Sequence, residues 1–180
     1  MPTIAVRYLA RPALDLRDAF LDAQRDYTRG DGAPDADGLT LEDLTQGTLA
    51  SYIDGMAGGL YPRPGVRTGT PGTELWWCGP TDEGVREVLG RVSLRHHMVP
   101  ALRKRGGQLW WSLRPSRRGQ GLGTELFTAA LGHLAGHGLS TATLVIPEAN
   151  TPARKIIEAA GGVLDHIDDN RYRWYHIATT

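Results

Sequence analysis

Glycines at the alternate positions 119, 121 and 123, led in by Arg117 and Arg118, form the stretch of this chain best suited to chemistry. The segment runs Leu113-Arg114-Pro115-Ser116-Arg117-Arg118-Gly119-Gln120-Gly121-Leu122-Gly123-Thr124. Alternation over residues 108–114 predicts a strand that ends at Pro115. Apolar residues at 122, 126, 130 and 134 predict a helix that starts among the last glycines. A helix start offers unpaired N–H groups and the positive end of the macrodipole, so an anion is welcome there. Glycines let the backbone approach that anion, and the two arginines add charge. The dinucleotide fingerprint G-x-G-x-x-G would need glycine at 124, where Thr124 stands. The P-loop would need a Gly-Lys-Ser/Thr ending, and no such tripeptide occurs.

Other reactive side chains are fewer. His133 and His137 stand four apart on the predicted helix, the spacing of a metal pair, but no third ligand is evident and a helix-surface reading is preferred. Cys78 is the only cysteine, which rules out an intrachain disulfide and a cysteine-rich zinc site. It reads as a small buried strand residue rather than an acyl-carrying nucleophile. Trp76-Trp77 and Trp110-Trp111 should each send one ring to the core and its neighbour towards a helix or cleft. Basic residues at 103–105 and 114–118 do not make a nucleic-acid surface in a chain of zero net charge without an aromatic-basic RNA motif.

The elements around the glycine turn follow from periodicity. Residues 3–9 alternate as a first strand, and Pro12 opens a helical run. Residues 29–38 are a loop by composition; Thr40, with Asp43 three residues on, caps a second helix that dissolves at Gly58-Gly59. After a Pro/Gly-rich connection over 61–72 come strands at 73–78 and 85–94 around a turn at 79–84, then a basic link over 100–107. Strand 108–114, helix 121–137, strand 142–146, helix 152–160 and strands 163–167 and 172–177 complete the chain. The order predicts one α/β domain with a mixed, mostly antiparallel sheet.

Residues 118–123 also fit R-x-x-G-x-G, and the strand ending Val145-Ile146-Pro147-Glu148-Ala149-Asn150 leads through Ala153, Ile156 and Ile157 to Gly161-Gly162. The two stretches together resemble the GNAT (GCN5-related N-acetyltransferase) superfamily, in particular a branch of predicted bacterial acetyltransferases. The resemblance covers about residues 73–177, the acetyl-CoA-binding core, with the element order also right for an acceptor side over 1–60. It implies a GNAT fold, with a twisted sheet, flanking helices and a splay between the neighbouring strands 108–114 and 142–146 that admits the pantetheine arm. It implies acetyl-CoA as cosubstrate, no metal, and cofactor contacts from Leu113, Pro115, Arg118, Gly119, Gln120, Gly121, Leu122, Gly123, Thr124 and Asn150. The reaction implied is direct attack of an amine on the thioester, with a backbone N–H near Leu113 stabilising the oxyanion. A base must take the amine proton, and His96 or His97, ending the strand beside residues 108–114, is the candidate. The family often has a general-acid tyrosine seven residues after the asparagine; here Ile157 stands there, leaving another donor or water.

The charge is divided. Residues 1–54 hold ten acids against five arginines, a net −5, and the remainder is +5. An acidic acceptor side would favour a cationic small-molecule amine, and detoxification of an amine antibiotic would suit it. Candidate contacts are Asp31, Asp35, Asp37, Glu42, Asp43 and Asp54. A protein lysine or N-terminal acetyltransferase and a non-catalytic CoA-binding module remain the alternatives. The absence of a signal peptide and of an 18-residue apolar run, with one cysteine, predicts a cytoplasmic protein without membrane or nucleic-acid partners. A homodimer is left open.

Overall fold

The computed structural model describes residues 6–36, 38–58, 72–81, 84–100, 102 and 107–180. Its sheet comes in two parts. β1 (Tyr8–Ala10), β2 (Gly72–Pro80), β3 (Arg86–Arg95) and β4 (Leu109–Leu113) lie side by side in that order, all antiparallel. β5 (Thr141–Pro147), β6 (Val163–Ile167) and β7 (Tyr172–Ala178) form a second antiparallel group with β7 in the middle. Among the described residues the groups meet at one bridge, Gly107 to Leu144, beyond which β4 and β5 diverge.

Strand alternation divides the core in two. Trp77, Leu75 and Val92 face one side of the first sheet and pack with Leu126, Phe127 and Leu134 of α4 (Leu122–Gly136) and Ile157 of α5 (Thr151–Ala159). Trp76, Cys78 and Val88 face the other side and pack with Phe20 of α1 (Arg17–Asp31) and with Tyr52, Ile53 and Met56 of α3 (Leu49–Ala57). The Phe20 and Trp76 rings stack at 4.4 Å and 9°, a pair that adds about 0.5–1.5 kcal/mol to its burial. This gives the tryptophan pair the two destinations its alternation predicts.

Local signals in the N-terminal part hold with corrections. Thr40 and Asp43 form a reciprocal capping box at the one-turn helix α2 (Leu41–Asp43). The second helix is not continuous, because Gly47 at φ 116 breaks it before α3 begins. The loop expected over 29–38 starts later. α1 continues to Asp31, and Gly32 at φ 83 terminates it. The first strand is Tyr8–Ala10, with residues 3–5 outside the described residues, as are Asp37, the 61–71 connection and the basic 103–105. Among the described residues no helix is long and apolar enough to cross a membrane.

Candidate active site

The divergence of β4 from β5 opens a cleft of about 750 Å³. One wall is β4 itself, from Leu109 to Leu113. The other comes from Val145, Ile146 and Pro147 of β5 and from Asn150, Pro152, Ala153 and Ile156. Arg118, Gly119, Gly121, Gly123 and Thr124 close one end. Of the predicted turn residues, Pro115, Gln120 and Leu122 do not line the cleft.

The closed end is shaped for an anion. Gly119 and Gly121 have φ values of 74 and 80, a left-handed conformation natural to glycine alone, and a Cβ on either would meet no protein atom within 4 Å. Among the described residues the N–H groups of Gly121, Leu122 and Gly123 have no partner, as expected for the first turn of α4. Free amides, an open glycine surface and a helix N-terminus fit a pyrophosphate. Arg118 stands beside them, with Nε donating to Leu113 O at 2.9 Å while its guanidinium makes a two-bond pair with Asp31 at 2.7 and 2.6 Å. Arg117 pairs instead with Glu87 at 2.9 Å and lies outside the cleft lining.

The outer edge of β4 supplies further donors. Arg114 N donates to Leu89 O across the β3–β4 ladder at 2.9 Å. Amides alternate along an antiparallel strand, so the Leu113 N–H faces away from β3, towards the cleft that Leu113 lines. Asn150 Oδ1 caps α5 by accepting from Ala153 N at 3.2 Å, and among the described residues its Nδ2 has no partner.

The model of the acetyltransferase (GNAT) domain family matches residues 10–163. The chain belongs to the GNAT acetyltransferase family. It is 30% identical over 128 residues to the mycothiol acetyltransferase of Thermobispora bispora, covering 71% of this chain but 37% of that relative. The chain thus spans little more than a third of that relative's length. Solved structures share the fold. RimJ of Mycobacterium smegmatis in complex with CoA-disulfide superposes with a TM-score of 0.64 at 17% identity, over 96% of this chain and 82% of that one. YncA of Salmonella typhimurium with its cofactor acetyl-CoA gives 0.58 at 14%, over 99% and 95%.

Within this GNAT domain the histidines are not brought to the cleft. Leu94 pairs with Leu109 and Gly90 with Leu113, so His96 lies beyond the opposite end of β4 from Leu113. Its Nε2 is 2.9 Å from Thr73 Oγ1, and its ring stacks on His137 at 4.4 Å, with His133 against His137 at 4.7 Å. Burial, and then the neighbouring imidazoles, hold His96 and His133 below the ordinary histidine value. Among the described residues no group of three or more His, Cys, Asp or Glu is placed to hold a metal ion. Cys78 is fully buried and burial pushes its thiol up to about 11, the state of a packing residue rather than a nucleophile.

The tyrosine question is answered by packing. Ile157 is fully buried, and Gly162 is glycine because a Cβ there would collide with the Ile157 side chain and carbonyl. A tyrosine at 157 has no room in this packing. Neither Tyr172 nor Tyr175 lines the cleft, and the Tyr175 hydroxyl donates to Glu158 at 2.7 Å.

Two groups on the far face of β4 escaped the sequence reading. Ser112 lines the cleft and contacts the Tyr27 hydroxyl at 2.9 Å and Asp35 Oδ2 at 2.5 Å. A lone hydroxyl in Leu-Trp-Trp-Ser-Leu is the available signal, since polar groups on an apolar strand need a partner. Tyr27, on an ordinary amphipathic helix, carries no such signal.

Proposed function

We propose that this chain is an N-acetyltransferase that moves the acetyl group of acetyl-CoA to a primary amine of a small molecule, by direct attack in a ternary complex. The observation that carries this reading is the β4–β5 cleft, closed at one end by Gly119, Gly121, Gly123 and Thr124, beside which the Gly121, Leu122 and Gly123 amides bond none of the described residues. Those amides, with Gly119 and Thr124 alongside, would hold the pyrophosphate, and the cleft between β4 and β5 would take the pantetheine arm. Acetyl-CoA supplies an activated thioester. The Leu113 N–H is suited to receive the negative charge that develops on the carbonyl oxygen, because a donor fixed on a strand needs no reorganisation. A small acceptor is favoured over a protein by the name of the mycothiol acetyltransferase relative. The reading is tested by free-thiol release from acetyl-CoA against a panel of polyamines, aminoglycosides, neutral amines and lysine peptides. Acceptor-dependent release with one or more small amines is expected. Release with peptides alone, or with no amine at all, overturns it.

A further inference from the structure

The acceptor side of the cleft contains a hydrogen-bonded chain that the family motif does not specify. Ser112 sits on β4 between Trp111 and Leu113, and its hydroxyl donates to Asp35 Oδ2 at 2.5 Å. A serine hydroxyl has one hydrogen, so the 2.9 Å contact with Tyr27 must be a bond donated by the tyrosine. Tyr27 is buried, and burial followed by the Asp35 charge raises its pKa, so it remains a donor throughout the neutral range. Ser112 Oγ therefore has one lone pair taken and one left.

Asp35 is held from behind. Arg91, with a side chain only 2% exposed, lies 3.6 Å from Asp35 Oδ1 and also donates to the Asp35 carbonyl oxygen. Its guanidinium is 5.8 Å from the centre of the Trp110 ring, another residue of the cleft wall. Asp35 itself keeps 20% of its side chain exposed, which gives a proton a way out.

Resting on the acetyltransferase reading above, we propose that Ser112 is the catalytic residue that accepts the acceptor amine's proton and that Asp35 is the positioning carboxylate that receives it. As the amine nitrogen bonds to the acetyl carbon, its proton passes to Ser112 Oγ and the serine's own hydrogen passes to Asp35 Oδ2. The electron pair of the breaking C–S bond leaves on the CoA sulfur, which water protonates, and Asp35 returns its proton to solvent. The Tyr27 bond fixes the direction of the relay, because it occupies the lone pair that would otherwise let the serine turn away from the carboxylate.

The test uses Ser112→Ala, Ser112→Thr and Asp35→Asn, assayed with an amine that the wild type acetylates and by calorimetry with acetyl-CoA. Ser112→Ala should lower kcat about a hundredfold or more while acetyl-CoA affinity stays at the wild-type value. Ser112→Thr, which keeps the hydroxyl on a strand that accepts threonine, should restore most of that rate. Asp35→Asn can still accept the serine's hydrogen bond but not its proton, so it should lose kcat like Ser112→Ala. Wild-type kcat in Ser112→Ala or Asp35→Asn overturns the relay and leaves the acetyltransferase reading standing. A loss that Thr does not restore, or one shared by acetyl-CoA affinity, marks a structural role and also overturns it. No amine-dependent turnover by the wild type overturns both.

Discussion

Gly121 shows how one residue's backbone decides what the cleft can hold. Its φ of 80 is a conformation that costs a side-chain-bearing residue about 1–2 kcal/mol, and the space beyond its Cα contains no protein. Gly121→Val would add that strain and place a side chain where the proposed pyrophosphate site lies. The expected result is loss of measurable acetyl-CoA binding by calorimetry in a variant that still unfolds cooperatively. Unchanged affinity would remove the turn from the binding site. Gly123 is a poorer probe, since a Cβ there comes 3.2 Å from Ile156 Cδ1 and would disturb α5 as well. Gly30 matters differently: a Cβ on it would collide with the Pro115 ring, so its absence lets α1 lie against the start of the glycine turn.

At the scale of elements, the C-terminal end of α4 and the end of β3 are joined by imidazoles. His133 Nε2 is buried without a partner among the described residues, and His96 and His133 are both held below the usual histidine range. Unfolded imidazoles titrate near ~6.5, so on acidification the unfolded chain takes up protons before these two folded groups do. Stability contributed by their neutral state is present above that value and is lost as pH falls from about 6.5 through the lower folded values. The thermal midpoint should therefore drop between about pH 7 and about pH 5, and His137→Asn, at an exposed position, should flatten the dependence. An identical slope in that variant would show that the His137 ring adds nothing to the effect of burial on His96 and His133.

Across the whole molecule, the acidic first third and the basic remainder are bound to each other. Arg114, with its side chain 9% exposed, donates to Asp26 at 2.8 Å and Asp22 at 2.8 Å and lies 3.4 Å from Glu87. Asp26 also accepts from Ser116 N and Oγ. Burial raises its pKa, but these bonds and the Arg114 charge outweigh that and hold it below the ordinary carboxylate value. Asp31 pairs with Arg118, Asp35 with Arg91, and Asp15 with Arg86 at 3.0 Å. The asymmetry of charge thus fastens α1 to the glycine turn, and Asp31 and Asp35 already have internal partners. Asp26→Asn should cost about 1–3 kcal/mol in denaturant unfolding, because it leaves a buried guanidinium underpaired. Asp18→Asn, at a fully exposed carboxylate, should change stability by less than about 0.5 kcal/mol. Equal effects would deny the network a stabilising role.

What the sequence determined by itself is what local rules control. The glycine turn, the capping box at Thr40, the asparagine that starts α5 and the alternating tryptophans were legible because backbone conformation, capping and strand period act over a few residues. The family followed from two such stretches in the right order. Tertiary structure alone decided the rest. His96 looked like a base from its place at a strand end, yet register set it at the wrong end of β4 and gave it histidine neighbours. Ile157 stands where the family often has tyrosine, and only packing shows it fully buried against Gly162. The Tyr27–Ser112–Asp35 chain joins residues 85 and 77 positions apart. Contacts of that separation depend on how α1 crosses the sheet, and no period or motif within either segment encodes the crossing.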